Sequence, residues 1–490
     1  MAFKNLTGYE IDTLPQSFNL TDGHAFRSWS PEEEAIIQSS AELFKNNNRQ
    51  AQNKLESEYI CDFLKLARQT NHESSVGYLM CFTASMAFEV VANYLRLQRS
   101  SVTLIEPAFD NLADIFRRHQ IVMHPLRDES MEAPPEYFAE RLRTIQDDCI
   151  CLVTPNNPTG ISLTEQNLRL LAAFCAENRK LLILDNCFRA YLPRNEVHDQ
   201  YKILLDSGTD FIMVEDTGKT WPTAEIKAPF FAVSRANGLF QKIYDIYTDF
   251  LLHISPVGIK LVHEFIRLSQ KDDLQKIRSV VALNREALYR NLAGTFLTPC
   301  EKPFSSVSWL RIGAPMTGAA LKQVLDQHGV FVLAGNHFFW SDHRLGDRYI
   351  RVALTRDAEV FAEAVQLLGR LCQTLSIKTD ARRELTERGF AQIAGSDWRI
   401  SPTFAHHWEQ LREDWDQLEL DRHLKNGATF RLRRYGRYYW SPYDDTLLPL
   451  ANEPYFQPED QNSYAGGTTR TFAPLLADSV ENPFLMALVR

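Results

Sequence analysis

Lys219 lies close behind an apolar run, Phe211-Ile212-Met213-Val214, and a second cation, Lys227, stands eight residues further on. A lysine that is partly desolvated and set near positive charge gives up its proton more readily, and its free amine can form an imine with an aldehyde. Asp185 closes another apolar run, Leu181-Leu182-Ile183-Leu184. A carboxylate there is costly to bury without a cationic partner. Asn157 sits in Thr154-Pro155-Asn156-Asn157-Pro158-Thr159-Gly160, turn chemistry directly after the apolar stretch Ile150–Val153. In this order, amide, carboxylate, amine and cation are the parts needed to hold and use pyridoxal phosphate (PLP). The amide can reach the ring's phenolic oxygen, the carboxylate its protonated nitrogen and the amine its aldehyde.

Other stretches add to this set. Phe82-Thr83-Ala84-Ser85-Met86-Ala87 reads as a loop entering a helix. Its small residues let backbone N–H groups, with Ser85 and Met86, approach a phosphate at the helix start. Glu106-Pro107-Ala108-Phe109 puts an aromatic ring just past a strand, suited to stacking on a pyridine ring. Arg351, after Tyr349-Ile350, offers a guanidinium that can grip a substrate carboxylate with two hydrogen bonds.

These residues must be carried at the ends of strands. From about residue 75 to 255, β-type runs (Val102–Ile105, Ile150–Val153, Leu181–Leu184, Phe211–Val214) alternate with helical stretches such as Leu168–Cys175. That pattern predicts an α/β domain with a mostly parallel sheet flanked by helices. Residues 1–30 read as an irregular polar segment, and Ser30-Pro31-Glu32-Glu33-Glu34 as a helix start. The large domain is expected over 31–255 and a smaller α+β domain over 256–378. The latter would hold a long helix (Pro256–Ala293), strand pieces at Ser305–Ile312, Val330–Leu333 and Tyr349–Leu354, and a last helix from Ala358 to Leu375. After a break near 376–380 the texture changes, and a mainly-β module is expected over 379–490, with a helical lead-in at Asp414–Leu424.

Composition narrows the function. The 490-residue chain is 44% hydrophobic and 23% charged, with net charge −9, which argues against a nucleic-acid-binding surface. No apolar run approaches the ~20 residues that span a bilayer, and no signal-peptide core opens the chain. The eight cysteines show no metal-ligand spacing. Cys149 and Cys151 fall on one face of a strand, poorly placed to bridge. A cytoplasmic protein with reduced thiols and no metal is expected.

Together the quoted residues resemble the PLP-dependent aminotransferases of fold type I, over roughly residues 20–375. The resemblance implies Lys219 as Schiff-base lysine and general base, Asp185 on the ring nitrogen and Asn157 on the ring oxygen. It also implies Phe109 on the ring face, Ser85 and Lys227 on the phosphate, and Arg351 on the carboxylate of a free amino acid, in a homodimer. Three positions depart from the family pattern. Phe188 stands where a tyrosine is usual, Lys227 where arginine is usual, and Asp216 where serine is common, so Thr217 is expected to turn in toward the phosphate. A narrower resemblance rests on Asn19-Leu20-Thr21-Asp22-Gly23-His24, Glu215-Asp216-Thr217-Gly218-Lys219-Thr220-Trp221-Pro222 and Gly335-Asn336-His337-Phe338-Phe339-Trp340. These are similar to capreomycidine synthase and the PLP-dependent arginine oxidases and hydroxylases of peptide-antibiotic pathways. That likeness implies that His24 attends the cofactor and substrate from an N-terminal lid. Transamination to a 2-oxo acid is the first expectation; oxidation or hydroxylation by dioxygen is the alternative.

The last stretch has its own resemblance. Arg431-Leu432-Arg433-Arg434-Tyr435, Pro454-Tyr455-Phe456-Gln457 and Asn462–Arg470 resemble the N-terminal half of a 2-oxoglutarate/Fe(II) dioxygenase family that hydroxylates amino acids. The resemblance implies iron ligands, His-x-Asp and a distal His, beyond residue 490, and hence a bifunctional protein as a further alternative. His407-Trp408-Glu409 has ligand-like spacing but lies in the helical lead-in.

Overall fold

The computed structural model describes residues 4–45, 52–300, 304–314 and 316–387, and beyond them only short strands. Two compact units divide the chain. The first comprises Met1–Asn291, Pro299–Arg311 and Lys322–Gln366, the second Leu292–Thr298, Ile312–Leu321 and Leu367–Arg490.

A seven-stranded sheet forms the centre of the first unit. In chain order its strands are β1 (Val76–Met80), β2 (Val102–Glu106), β3 (Met123–Arg127), β4 (Cys149–Val153), β5 (Leu181–Asp185), β6 (Phe211–Glu215) and β7 (Phe230–Ser234). Across the sheet they run β1-β7-β6-β5-β4-β2-β3. All neighbours are parallel except β7, which is antiparallel to both β1 and β6. Strands β2, β4, β5, β6 and β7 are buried along their whole length, which is why they read as unbroken apolar runs rather than alternating ones. The parallel strands deliver their C-terminal ends, carrying Asp185 and leading to Asn157 and Lys219, to one rim of the sheet, where ligands of open α/β sheets bind.

The expected α/β sheet and its flanking helices are present. Helix Glu165–Glu177 crosses between β4 and β5, and helix Pro31–Gln38 begins at Ser30 with a reciprocal capping box to Glu33. Several expectations need correction. Residues 1–30 are not irregular throughout: Leu6–Thr13 is a helix capped by Asn5, and Phe18–Asn19 pairs in parallel with Val330–Phe331. The helix expected over Pro256–Ala293 is two helices, Pro256–Gln270 and Gln275–Leu292. Asp273 and Leu274 between them have φ of 55° and 63°. Arg68 and Arg194 both hold the Asp273 carboxylate there, so ion pairing stabilises a turn that propensity does not announce. The final helix runs Ala358–Glu387, through the expected break. Residues 376–387 hold no glycine or proline to stop it.

A small antiparallel sheet places Arg351. Its strand Tyr349–Ala353 lies between Val307–Ile312 and Leu333–Ala334, with Arg351 opposite Trp309 on one side and Leu333 on the other. In the second unit, Phe390–Gln392, Trp398–Ile400 and Thr429–Phe430 form an antiparallel sheet, and Tyr438–Ser441 pairs with Thr446–Pro449. The helical lead-in at 414–424, His407-Trp408-Glu409, and most of the β module expected over 379–490 lie outside the described residues. Among the described residues, no helix is long and apolar enough to cross a membrane.

Candidate active site

A cavity of about 260 Å3 opens at the rim of the central sheet, near the lower end (~300 Å3) of small-molecule sites. Asn157, Asp185, Phe188, Lys219, Lys227, Phe109, Ser85, Arg351 and His24 all line it. Residues separated by more than three hundred positions in sequence thus meet in one place.

Asp185, the last residue of β5, is buried, and its Oδ1 accepts the Cys187 N–H at 2.9 Å. Among the described residues no cation forms an ion pair with it. Burial pushes its carboxyl above the ordinary range, against the pull of the Cys187 hydrogen bonds. Lys219 stands four residues past the end of β6, on a turn fixed by Asp216, whose Oδ1 accepts from Thr217 N–H at 2.7 Å and Gly218 N–H at 3.1 Å. Burial opposes the charge of Asp216, but Lys219, His24 and Lys227 outweigh it and hold the carboxyl below its usual range. The Tyr191 hydroxyl donates to the Lys219 carbonyl at 2.6 Å and anchors the main chain under the amine.

Helix Ala84–Gln98 points its N-terminus at the cavity, with Thr83, Ala84 and Ser85 on the wall. Met86 is not on that wall: the Thr83 hydroxyl takes up its N–H at 3.1 Å. Thr217 does not turn in either. It is fully buried, with its hydroxyl accepting from Ala228 N–H at 3.0 Å, and Asp216 lines the cavity beside it. The Asx turn at Asp216 dictates this, because a carboxylate engaged with the two following N–H groups directs Thr217 inward to the core.

Arg351 is fully buried yet is not free. Its guanidinium holds Glu10 at 3.0 Å, Asn157 Oδ1 at 3.1 Å and the Thr21 carbonyl, and lies 5.8 Å from the Phe109 ring centre. Its Nε has no hydrogen-bond partner. Glu10 comes from the N-terminal helix, which Leu6 pins into the cluster of Trp309, Leu333, Phe338 and Phe339. Sequence reading missed Glu10, because a lone acid in a weakly patterned helix carries no signal. It also missed Asp22, which lay inside the quoted stretch ending at His24.

His24 is held among these groups. Its Nδ1 lies 2.6 Å from Asp22 Oδ1, and its Nε2 lies 3.3 Å from Lys219 Nζ and 3.1 Å from Lys227 Nζ. Burial and the neighbouring Lys219 push its imidazole below the ordinary histidine range, against the pull of Asp22.

The donor set fits PLP. A buried carboxylate with no cationic partner suits a protonated ring nitrogen, an amine lines the same cavity, and a helix N-terminus with Lys227 suits a phosphate. Comparison with known proteins agrees. The chain matches the model of the aminotransferase class I and II family over residues 18–368 and belongs to that family. It is therefore a PLP-dependent enzyme of fold type I. A solved structure of MppP soaked with the product 2-ketoarginine is 30% identical, covers 72% of this chain and 99% of its own, and superposes with a TM-score of 0.65. LysN, the alpha-aminoadipate aminotransferase of Thermus thermophilus, is similar in fold, with 16% identity, TM-score 0.60 and coverage of 76% of this chain and 97% of its own. The LL-diaminopimelate aminotransferase of Azobacteroides pseudotrichonymphae genomovar. CFP2 is 30% identical over 108 residues, 22% of this chain and only 26% of that relative's length. Residues 412–490 match the model of the 2OG-Fe dioxygenase family.

Proposed function

We propose that this enzyme acts on the α-amino group of a free amino acid and yields a 2-oxo acid. The observation that carries this reading is the meeting of Lys219, Asp185, Asn157 and Arg351 in one cavity. When bound, PLP supplies an aldehyde for the amino group and an electron-withdrawing ring that stabilises negative charge at the α carbon. Asp185 keeps the ring nitrogen protonated, and Asn157 hydrogen-bonds the ring oxygen. Ser85, with the helix start, and Lys227 bind the phosphate, while Phe109 and Phe188 pack on the ring. Lys219 Nζ would hold the aldehyde, and its amine would move the proton at the substrate α carbon. Arg351 binds the substrate carboxylate. The segment 1–30 serves as a lid over the large domain (31–255) and small domain (256–378), followed by the module 379–490. A cytoplasmic homodimer serving specialised amino-acid or natural-product biosynthesis completes the proposal.

Removal of the α-amino group by transamination is the first reading. A second reading, in which dioxygen replaces the amino acceptor, draws on the likeness of the stretches around His24 and Lys219 to the arginine oxidases and on His24 beside Lys219. One experiment separates them. Purified enzyme is given each amino acid with and without a 2-oxo acid acceptor, and product, oxygen and peroxide are measured. Turnover only with acceptor establishes transamination, oxygen uptake without acceptor establishes oxidation, and no 2-oxo acid with any amino acid overturns both.

A further inference from the structure

We propose that Asp22 is a positioning residue. It holds His24 in the tautomer that carries its hydrogen on Nδ1, so that bare Nε2 is presented to the amines of Lys219 and Lys227. The functional half of this proposal rests on the reading of Lys219 as the reactive amine.

Two demands on the ring converge. Asp22 Oδ1 accepts the His24 backbone N–H at 2.8 Å and lies 2.6 Å from Nδ1. An ionised carboxylate only accepts, so Nδ1 must donate. Burial works against that ionisation, but the hydrogen bonds from His24 and the nearby Lys219 amine outweigh it and hold Asp22 well below the usual carboxylate range. On the far side of the ring stand two amines, at 3.3 and 3.1 Å. Both amines carry hydrogens to donate, and a bare Nε2 accepts them. A hydrogen on Nε2 would point at two hydrogen-bearing amines and leave the Asp22 carboxylate opposite a bare nitrogen.

The surrounding chain is built to keep this arrangement. Arg356 binds the carbonyls of Asn19, Asp22 and His24, and Thr355 Oγ1 donates to the His24 carbonyl at 3.0 Å. Ala25 N–H donates to the Gly218 carbonyl at 3.2 Å, tying the lid to the turn that bears Lys219. A Cβ on Gly218 would lie 3.0 Å from His24 Cδ2 and 3.1 Å from Lys227 Cδ, so a side chain there would press on the ring.

Charge explains why the ring stays neutral. The charged groups facing it are Asp22 on its own segment, Lys219 and Asp216 from the turn after β6, and Lys227. Arg356 contacts its main chain, and Glu10 acts on Asp22 from the N-terminal helix. A protonated imidazole would add a third positive charge to the two amines. Activity is therefore lost on the acid side only below the ordinary histidine range. Removing the Asp22 charge moves that limb to lower pH, because the imidazolium loses its one paired anion.

The test uses full-length protein with 15N-labelled histidine, with and without PLP. In wild type at neutral pH, His24 should show a hydrogen-bearing Nδ1 and a bare Nε2. Asp22→Asn retains an acceptor and should keep the tautomer, lower the acid limb of the kcat profile and leave KM within about twofold. Asp22→Ala should mix the tautomers and lower kcat about 10- to 100-fold, as loss of an outer hydrogen-bond partner does, with Asp22→Glu recovering part of it. A hydrogen on Nε2 in wild type, or an unmoved acid limb in Asp22→Asn, overturns the proposal. Borohydride reduction and peptide mapping run alongside. Label on Lys219 with an unmoved limb sinks the positioning role alone, whereas no label on Lys219 sinks the reading it rests on.

Discussion

Asp185 and Arg351 are buried groups on the cavity wall, and each yields a distinct kinetic signature. Asp185→Asn keeps the shape but removes the charge that would hold a ring nitrogen protonated. We expect kcat to fall about 100-fold or more, as when a buried electrostatic stabiliser is lost, and the rise in melting temperature on PLP addition to shrink. Absorbance kinetics and thermal melts check both. Arg351→Ala should raise KM about tenfold to a hundredfold, the ~1.5–3 kcal/mol of a charged hydrogen bond, while binding PLP normally. An unchanged KM would mean that the arginine serves only Glu10. Lys219→Ala should abolish turnover and borohydride labelling alike. Asn157, Asp185 and Lys219 could be picked out in sequence because each ends or closely follows an apolar strand, and Lys227 only by its spacing from Lys219. Cap and turn hydrogen bonds, which sequence shows poorly, engage the Met86 N–H and the Thr217 hydroxyl.

Packing between elements sets tolerances that motif residues do not reveal. Gly77 in β1 lies against Phe240 of helix Leu239–Phe250, and an added Cβ would fall 2.0 Å from that ring. Gly77→Ala should therefore destabilise the protein by about 1–3 kcal/mol through overpacking. Urea denaturation measures this, and paired replacement of Phe240 by leucine should recover part of the loss. Of the central strands covered on both faces, β2, β4, β5 and β6 were read in the sequence and β7 was not. β1 and β3 escaped notice because β1 includes a glycine, while β3 holds His124 and Pro125 and is largely exposed. The N-terminal helix escaped for a related reason: its stability comes from Leu6 in the Trp309 cluster and Glu10 on Arg351, not from its own pattern.

Across the whole molecule, two buried acids shape stability against pH. Burial pushes Asp110 and Asp128 up to about 7, and the hydrogen bonds they accept only partly offset it. Their folded values exceed the unfolded ones, so each contributes stability that is full at acid pH and lost as pH rises from about 4 through 7. Asp128 accepts from Asn156 Nδ2 at 2.8 Å and from the Thr159 hydroxyl, while its Oδ1 is buried without a partner. Asp128→Asn should lose less stability than wild type between pH 4 and 8, measured as denaturant midpoints at each pH. Equal slopes would rule out a buried charge at this position.

The order of residue types along the chain determined the family and its cofactor, since apolar strands end where an amide, a carboxylate and an amine must be delivered to one rim. Tertiary structure alone decided what surrounds them. Glu10 on Arg351 and Asp22 behind His24 join positions at opposite ends of the first unit or within an N-terminal segment with no pattern of its own. A strand's periodicity is local and repeats along the sequence. A buried ion pair or a histidine tautomer is set by which distant groups share a low-dielectric space, and only the folded chain brings them together.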